Sequence, residues 1–165
     1  PGNYIILSMS EKSALIDELT DMLMECDLFS NFSAAEIQTA ARYFGISRIE
    51  EGGQVFNEGD AGSFMCIVYS GSISVMKSNQ DGHPVNLATV NRGKTFGEMA
   101  VLDGERRSAC CLAKTDSILL TLSRDSLEKM LDDAPRTAAR VIRALAISLS
   151  RRLRMADGAL VDHHI

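Results

Sequence analysis

A segment near the middle of the chain, from Phe96 to Ala109, combines residue types that suit a bound anion. Small residues let backbone amides approach a ligand closely, and a single guanidinium binds a phosphate through parallel hydrogen bonds. Arg107 supplies the guanidinium. The small residues are Gly97, Ala100, Ser108 and Ala109. We call this segment the cassette, and its composition indicates an anion-binding loop.

Glu98 would contact a different group of the same ligand, because a carboxylate accepts hydrogen bonds and repels phosphate. A sugar hydroxyl is the simplest donor, and a phosphate joined to a ribose indicates a nucleotide. An ordinary structural explanation stays open for both charged residues. Glu98 lies where a helix dipole would stabilise a carboxylate, and Arg107 lies in a charged turn beside Glu105 and Arg106.

The order of these residues resembles the phosphate-binding cassette of cyclic nucleotide-binding domains. Phe-Gly-Glu-Met-Ala at 96–100 is followed, nine residues after the glutamate, by Arg-Ser-Ala at 107–109. The resemblance continues upstream through glycine-containing segments at 53–63 and 67–75, and downstream into two closing helices. It covers residues 28–155.

This resemblance implies that Arg107 binds the phosphate oxygens and that Glu98 accepts the ribose 2′-hydroxyl. The implied ligand is cAMP or another cyclic nucleotide, and no other cofactor is expected. The ligand-binding residues that the resemblance implies are Gly97, Glu98, Met99, Ala100, Arg107, Ser108 and Ala109.

The base-binding part of the chain departs from the family. In the bacterial cAMP receptor proteins, two hydroxyl residues that follow an Arg-Arg-Leu stretch contact adenine. Here Arg151-Arg152-Leu153 is followed by Arg-Met-Ala-Asp, without a hydroxyl. We therefore expect base contacts from Met155 or Asp157, favour cAMP over cGMP, and leave another nucleotide messenger open.

The hydrophobic pattern predicts an α+β fold. Helical spacing over 10–26 and 33–44 gives way to short alternating runs and glycine turns between 47 and 122, and it returns afterwards. The predicted strands are 55–56, 64–69, 71–77, 85–90, 108–113 and 117–122, with one helical turn at 98–102. The pattern indicates an antiparallel β-roll or jelly roll (a double-stranded β-helix), flanked by N-terminal helices and two C-terminal helices.

The last predicted helix, 135–155, carries an apolar stripe that is long for one small domain to cover. The stripe contains Ala138, Ile142, Leu145, Leu149 and Leu153. We therefore expect a homodimer formed through this helix. The expected organisation is an N-terminal tail and helix at 1–27, a binding domain at 28–155 and a tail at 156–165.

Composition excludes several classes of function. A net charge of −5 and a pI near 5.2 disfavour direct nucleic-acid binding, and no apolar run approaches the roughly 18 to 20 residues that span a bilayer.

Three histidines, His83, His163 and His164, are too few and badly placed for a metal site in the roll. The four cysteines are expected to be buried thiols in the cytoplasm. No motif typical of an enzyme is present.

The sequence thus predicts a bacterial cyclic nucleotide sensor that repositions its C-terminal helices and signals through a protein partner of unknown kind. Only residues 156–165 follow the last predicted helix, so no DNA-binding domain of its own is expected. Two alternatives stay open. The chain could be a fragment of a larger transcription regulator or channel, or a degenerate dimeric domain that binds no ligand.

Overall fold

Two helices with serine N-caps precede the strands in the computed structural model, which describes the backbone of residues 8–163 and the side chains of residues 8–158. Helix α1 (Met9–Met24) follows Ser8, and helix α2 (Ala34–Ala41) follows Ser33. In both helices, the serine hydroxyl accepts a hydrogen bond from the backbone N–H of the glutamate three residues later. The side chain of that glutamate accepts a hydrogen bond from the backbone N–H of the serine. These two capping boxes satisfy backbone donors that the helices cannot pair internally.

In the part of the chain that the structure describes, eight strands form two four-stranded antiparallel sheets. They are β1 (Gly45–Ile49), β2 (Gln54–Phe56), β3 (Phe64–Ser70), β4 (Ile73–Ser78), β5 (Pro84–Val90), β6 (Thr95–Phe96), β7 (Cys110–Ala113) and β8 (Ser117–Ser123). The first sheet has the order β1-β8-β3-β6 and the second has the order β2-β7-β4-β5. The predicted α+β roll is confirmed, although β1 and β6 were not among the predicted strands.

Strand β3 separates two apolar cores because its side chains alternate between the two faces of the sheet. Cys66 and Val68 belong to the core between the sheets, whereas Met65 and Ile67 belong to the core beneath the helices. The inter-sheet core also contains Phe56, Ile73, Phe96, Cys111, Ala113 and Leu119. The helices therefore cover the outer face of the first sheet and leave the inner face to the roll.

Helices α4 (Arg124–Asp133) and α5 (Pro135–His163) close the fold, and Pro135 occupies the first position of α5, where its missing N–H costs nothing. Ala138, Val141 and Leu145 of α5 are fully buried. Beyond Leu145 none of the described side chains of the helix is buried, and the helix continues to His163, past the expected end at residue 155. One glycine, Gly158, is the only strong helix breaker in that extension, and its cost of about 1 kcal/mol does not end the helix.

Within residues 8–163, no helix has the length and apolar character that crossing a bilayer requires.

Candidate functional site

Two glycines in the left-handed backbone region define the ends of the short helix in the cassette. Helix α3 (Glu98–Asp103) has Gly97 as its N-cap, with φ 74°, and Gly104 as its C-cap, with φ 72°. Phe96 pairs with Cys66 of β3 and so joins the start of the cassette to the roll. Gly62 lies so close to α3 that an added Cβ would be 2.0 Å from the Cβ of Ala100. The cassette is therefore packed tightly against the first sheet.

Arg107 is held in place by both its backbone and its side chain. Its N–H donates to the Asp60 carbonyl at 2.8 Å, and its carbonyl accepts from the Gly59 N–H at 2.9 Å. The guanidinium lies over the rings of Phe56 and Phe64, with its central carbon 3.8 and 4.8 Å from their centroids. Such cation–π contacts favour a desolvated cation.

The hydrogen bonds of the Arg107 guanidinium go to backbone carbonyls and not to a carboxylate. Nη1 donates to the Gly97 carbonyl at 2.9 Å, and Nη2 donates to the Phe64 carbonyl. The side chain therefore connects the N-cap of α3 to the first residue of β3. Nε has no hydrogen-bond partner in the part of the chain that the structure describes.

The positive charge of Arg107 is buried without an ion-pair partner among the described residues. The residue is 4% exposed, and no carboxylate among the described residues lies within 4 Å of its nitrogens. Burial lowers the pKa of Arg107, and it raises the pKa of the nearby thiols of Cys66 and Cys111 to about 12. The thiols are therefore neutral at neutral pH and offer no counter-charge. A buried cation with an unpaired donor suits a bound anion.

Glu98, which is 2% exposed, faces Arg152 of helix α5. Its Oε1 forms an ion pair with Arg152 Nη2, although no hydrogen bond of good geometry reaches that oxygen. Arg152 also donates to the hydroxyl of Thr95 at 3.4 Å, and partial burial lowers its pKa. The pair joins the cassette to the last helix.

The sequence reasoning missed Arg152 as a site residue, although its spacing contained the signal. Arg152 follows the buried Leu145 by seven residues, which is close to two helical turns, so both lie on the same face of α5. Phe56 and Phe64 were also missed. They flank the turn that anchors the backbone of Arg107, but nothing local marks them as guanidinium contacts.

The structure brings Gly97, Glu98, Ala100 and Arg107 together at one place. Met99 is exposed on the outer side of α3, Ser108 is exposed with no hydrogen bond recorded for its hydroxyl among the described side chains, and Ala109 is half-buried. Met155 and Asp157 are exposed on α5. Asp157 lies about 140° around the helix from Arg152, so it faces away from the cassette of its own chain. The ligand-binding roles of all these residues stay predictions.

A cavity of about 300 Å³ opens beside β1 and β2, where it is lined in part by Ile49, Val55 and Phe64. Among the described residues, no three His, Cys, Asp or Glu side chains are grouped to hold a metal ion.

Replacing Gly97 with alanine is expected to disturb Arg107. A Cβ at this position would lie 2.7 Å from Arg107 Nη1, in addition to the cost of about 1–2 kcal/mol for a left-handed alanine. Gly82→Ala is the matched control, because Gly82 has φ 79° and no atom within 4 Å of its added Cβ. Urea denaturation should therefore show a larger loss of stability for Gly97→Ala. Equal losses would contradict the packing described.

Comparison with known proteins places these residues in context. The family model described as the cyclic nucleotide-binding domain matches residues 46–134, more than half of the chain. The chain is 34% identical over 130 residues to the cyclic AMP receptor protein of Thermus thermophilus, covering 79% of this chain and 58% of that protein. It is 32% identical over 109 residues to the cAMP-dependent protein kinase regulatory subunit of Yarrowia lipolytica, covering 66% of this chain and 28% of that one.

A solved structure supports the same comparison. The cyclic nucleotide-binding domain from Methylobacillus flagellatus superimposes with a TM-score of 0.77 at 27% identity, covering 91% of this chain and 84% of that one. The chain spans less than two thirds of the length of either curated relative.

Proposed function

The chain belongs to the cyclic nucleotide-binding domain family, and from that premise we propose that it is a sensor of cyclic nucleotide, with cAMP as its ligand, and a regulatory domain without catalytic activity. One observation carries the proposal: Arg107 is buried with an unpaired Nε and without a carboxylate partner among the described residues. A cyclic phosphate supplies one negative charge and two exocyclic oxygens, which suit such a group. The two relatives compared above are named as a cyclic AMP receptor protein and as a regulatory subunit of cAMP-dependent protein kinase.

In this proposal the phosphate occupies the space beside Arg107, while the backbone of 97–100 and residues 108–109 line it. Glu98 accepts the ribose 2′-hydroxyl. Arg107 and Glu98 are both buried in one small region that water reaches poorly. Their hydrogen bonds to a ligand are therefore stronger than on an open surface.

Ligand binding then changes the contacts of Glu98. Its Oε1 faces Arg152, and a ribose hydroxyl that donates to this carboxylate weakens the ion pair. Because Arg152 belongs to α5, its release changes the contacts of that helix with the cassette. The ligand shifts the position of α5 only by its different affinity for the two arrangements.

The base contacts belong to the same helix. Met155 lies three residues after Arg152, near enough on the helix surface to reach a base above the cassette, and its thioether suits a purine face. Asp157 faces away from its own cassette, so it would contact a base only in a partner subunit. We assign residues 28–155 to the binding domain, with 1–27 before it and 156–165 after it.

The proposed homodimer uses the apolar side of α5 beyond the domain. Ile142, Leu149 and Leu153 form a row beside the buried face, and Leu153 is 64% exposed. A helix with incompletely buried leucines at this spacing gains stability by packing against a second copy.

Leu153→Glu is expected to dissociate this dimer. It places a charge within the proposed apolar interface, and sedimentation velocity at micromolar concentration should change from a dimer to a monomer. Ile147→Glu, on another side of the same helix, should leave the dimer intact. A wild-type monomer, or a Leu153→Glu dimer, would contradict the interface.

Isothermal titration calorimetry with cAMP, cGMP and cyclic dinucleotides tests the proposed ligand. Binding of cAMP with the highest affinity supports the proposal, and tight binding of another cyclic nucleotide would change the ligand but keep the site. Absence of heat with all of them, together with absence of thermal stabilisation, would favour a domain that binds nothing. Turnover of the nucleotide during titration would point to an enzyme.

A further inference from the structure

The side of α5 opposite its buried face carries a row of arginines. The row contains Arg136, Arg140, Arg143, Arg151 and Arg154, with Ile147 at its middle, and all six side chains are exposed. Residues 136 and 154 are separated by five full turns, so the row runs roughly 27 Å along the helix. Leu145 of the buried face points in the opposite direction from Arg154. We call these six residues the arginine row.

The row concentrates positive charge in an acidic chain. Helix α5 contains six arginines and two aspartates, whereas the whole chain has 17 basic and 22 acidic residues. Arg140 pairs with Glu36 of helix α2. The other four arginines of the row have no ion pair within the described residues. Positive charge that the fold does not neutralise is therefore available to an external partner.

Apart from Arg140, the arginines of the row form no ion pair that would stabilise the described part of the fold. Like charges three and four residues apart on a helix repel, and this spacing separates Arg136, Arg140 and Arg143, and separates Arg151 from Arg154. A solvated helix face ordinarily mixes the two signs, which would remove the repulsion. The row therefore has a local cost that a negatively charged partner would remove.

Ile147 identifies the class of partner. It is 43% exposed and lies between two groups of arginines, so an apolar centre is surrounded by charge. Protein interfaces have this organisation, in which an apolar centre is excluded from water by a polar rim. A nucleic acid bound mainly through its phosphates would gain little from Ile147, and the acidic remainder of the chain would repel it.

The row stays accessible in the proposed dimer. Leu149 and Leu153 lie on a different side of the helix. The arginine of the row nearest to them is Arg143, which is at least 80° away around the helix axis. The row is also part of the helix that contains Arg152, whose guanidinium reaches Glu98. Any response of this surface to a ligand rests on the proposed function, whereas the surface itself does not.

We propose that the arginine row docks an acidic helical segment of another protein, with carboxylates three and four residues apart against the arginines and one apolar side chain on Ile147. Charge complementarity and the apolar centre together select this partner. Arginine is suited to the contact because its planar guanidinium binds carboxylates through two hydrogen bonds.

Fluorescence anisotropy with a labelled synthetic peptide tests the proposal on the full chain. The probe is a helical peptide with glutamates at helical spacing on one face and a leucine at its centre. Arg143→Gln/Arg151→Gln/Arg154→Gln is expected to weaken its binding at least about tenfold, because three exposed ion pairs each contribute a fraction of that effect. Arg42→Gln/Arg48→Gln/Lys114→Gln removes the same charge elsewhere on the exposed surface and should bind like wild type.

A second comparison isolates the apolar centre. Ile147→Ser should weaken binding of the leucine peptide but not of a peptide whose central residue is glutamine. Equal affinity of the two triple variants would overturn the proposal, as would absence of peptide binding to wild type. Tighter binding of a single-stranded oligonucleotide of the same charge, lost in the Arg143 triple variant, would also overturn it in favour of nucleic acid.

Cyclic nucleotide titration of the same variant separates this proposal from the function proposed above. The Arg143 triple variant leaves the cassette untouched and should bind cAMP like wild type, with a melting temperature no lower than that of wild type, because it removes repulsion between arginines. Loss of peptide binding with intact cAMP binding supports a separate docking surface. Failure of every cyclic nucleotide to bind wild type would remove the sensor function and leave the peptide result unaffected.

Discussion

Arg107→Gln is expected to weaken cyclic nucleotide binding by about tenfold to a hundredfold. A hydrogen bond to a charged group contributes about 1.5–3 kcal/mol, and each 1.4 kcal/mol corresponds to a factor of ten in affinity. Glutamine keeps a polar side chain but lacks the charge and the paired donors of the guanidinium. Isothermal titration calorimetry with the ligand that binds wild type most tightly gives the affinity ratio directly.

Arg106→Gln is the matched control for this change. Arg106 is the exposed neighbour, and its side chain donates to the Gly59 carbonyl outside the buried site. Its replacement removes the same charge from the same turn and should leave affinity within about twofold, because exposed charges contribute little. Thermal melting without ligand checks the fold, since Arg107→Gln also weakens the bonds to the carbonyls of Gly97 and Phe64. A folded Arg107→Gln variant with wild-type affinity would contradict the proposed site.

Glu98→Ala is expected to remove the preference for a ribose over a deoxyribose. If Glu98 accepts the 2′-hydroxyl, wild type should bind cAMP at least about tenfold more tightly than 2′-deoxy-cAMP, since the bond involves a charged acceptor. In Glu98→Ala the two ligands should bind almost equally. The ratio of the two affinities is the measurement, and it cancels any general effect of the substitution on the fold.

Glu105→Ala provides the comparison for Glu98. It removes a carboxylate from the exposed turn of the cassette, where no ribose contact is proposed, and should preserve the preference. A preference that persists in Glu98→Ala would assign ribose recognition to another group. Absence of any preference in wild type would do the same.

The fold was predictable where neighbouring residues determine structure. Ser8 with Glu11 and Ser33 with Glu36 mark helix starts through contacts three residues apart, and the structure has both capping boxes. Strands β6 and β1, which were not predicted, depend instead on distant residues. Thr95–Phe96 is too short for a pattern and exists because it pairs with β3, and Gly45–Ile49 is defined by its pairing with β8, more than 60 residues away. Such pairings leave little local signal.

The candidate site divides in a similar way. Gly97, Glu98 and Arg107 were identified because their types and order match a family motif. Arg152 was missed because its relevance depends on which face of α5 packs on the domain, and that depends on distant partners of Leu145 in the core. The aromatic contacts of Arg107 were also missed, because nothing in the sequence distinguishes Phe56 and Phe64 from ordinary core residues.

The continuous hydrogen bonding of α5 has a consequence for amide exchange. Around Ala138 and Leu145 the helix is embedded in the core, so these amides exchange with solvent only when the domain unfolds. Beyond Ala146 the same helix has few contacts of its own, and its amides exchange through fraying from the end. The protection of amides from exchange therefore decreases along α5, from the inner turns to the outer turns. A second copy or an acidic segment bound there should slow exchange in those turns and leave the inner turns unchanged.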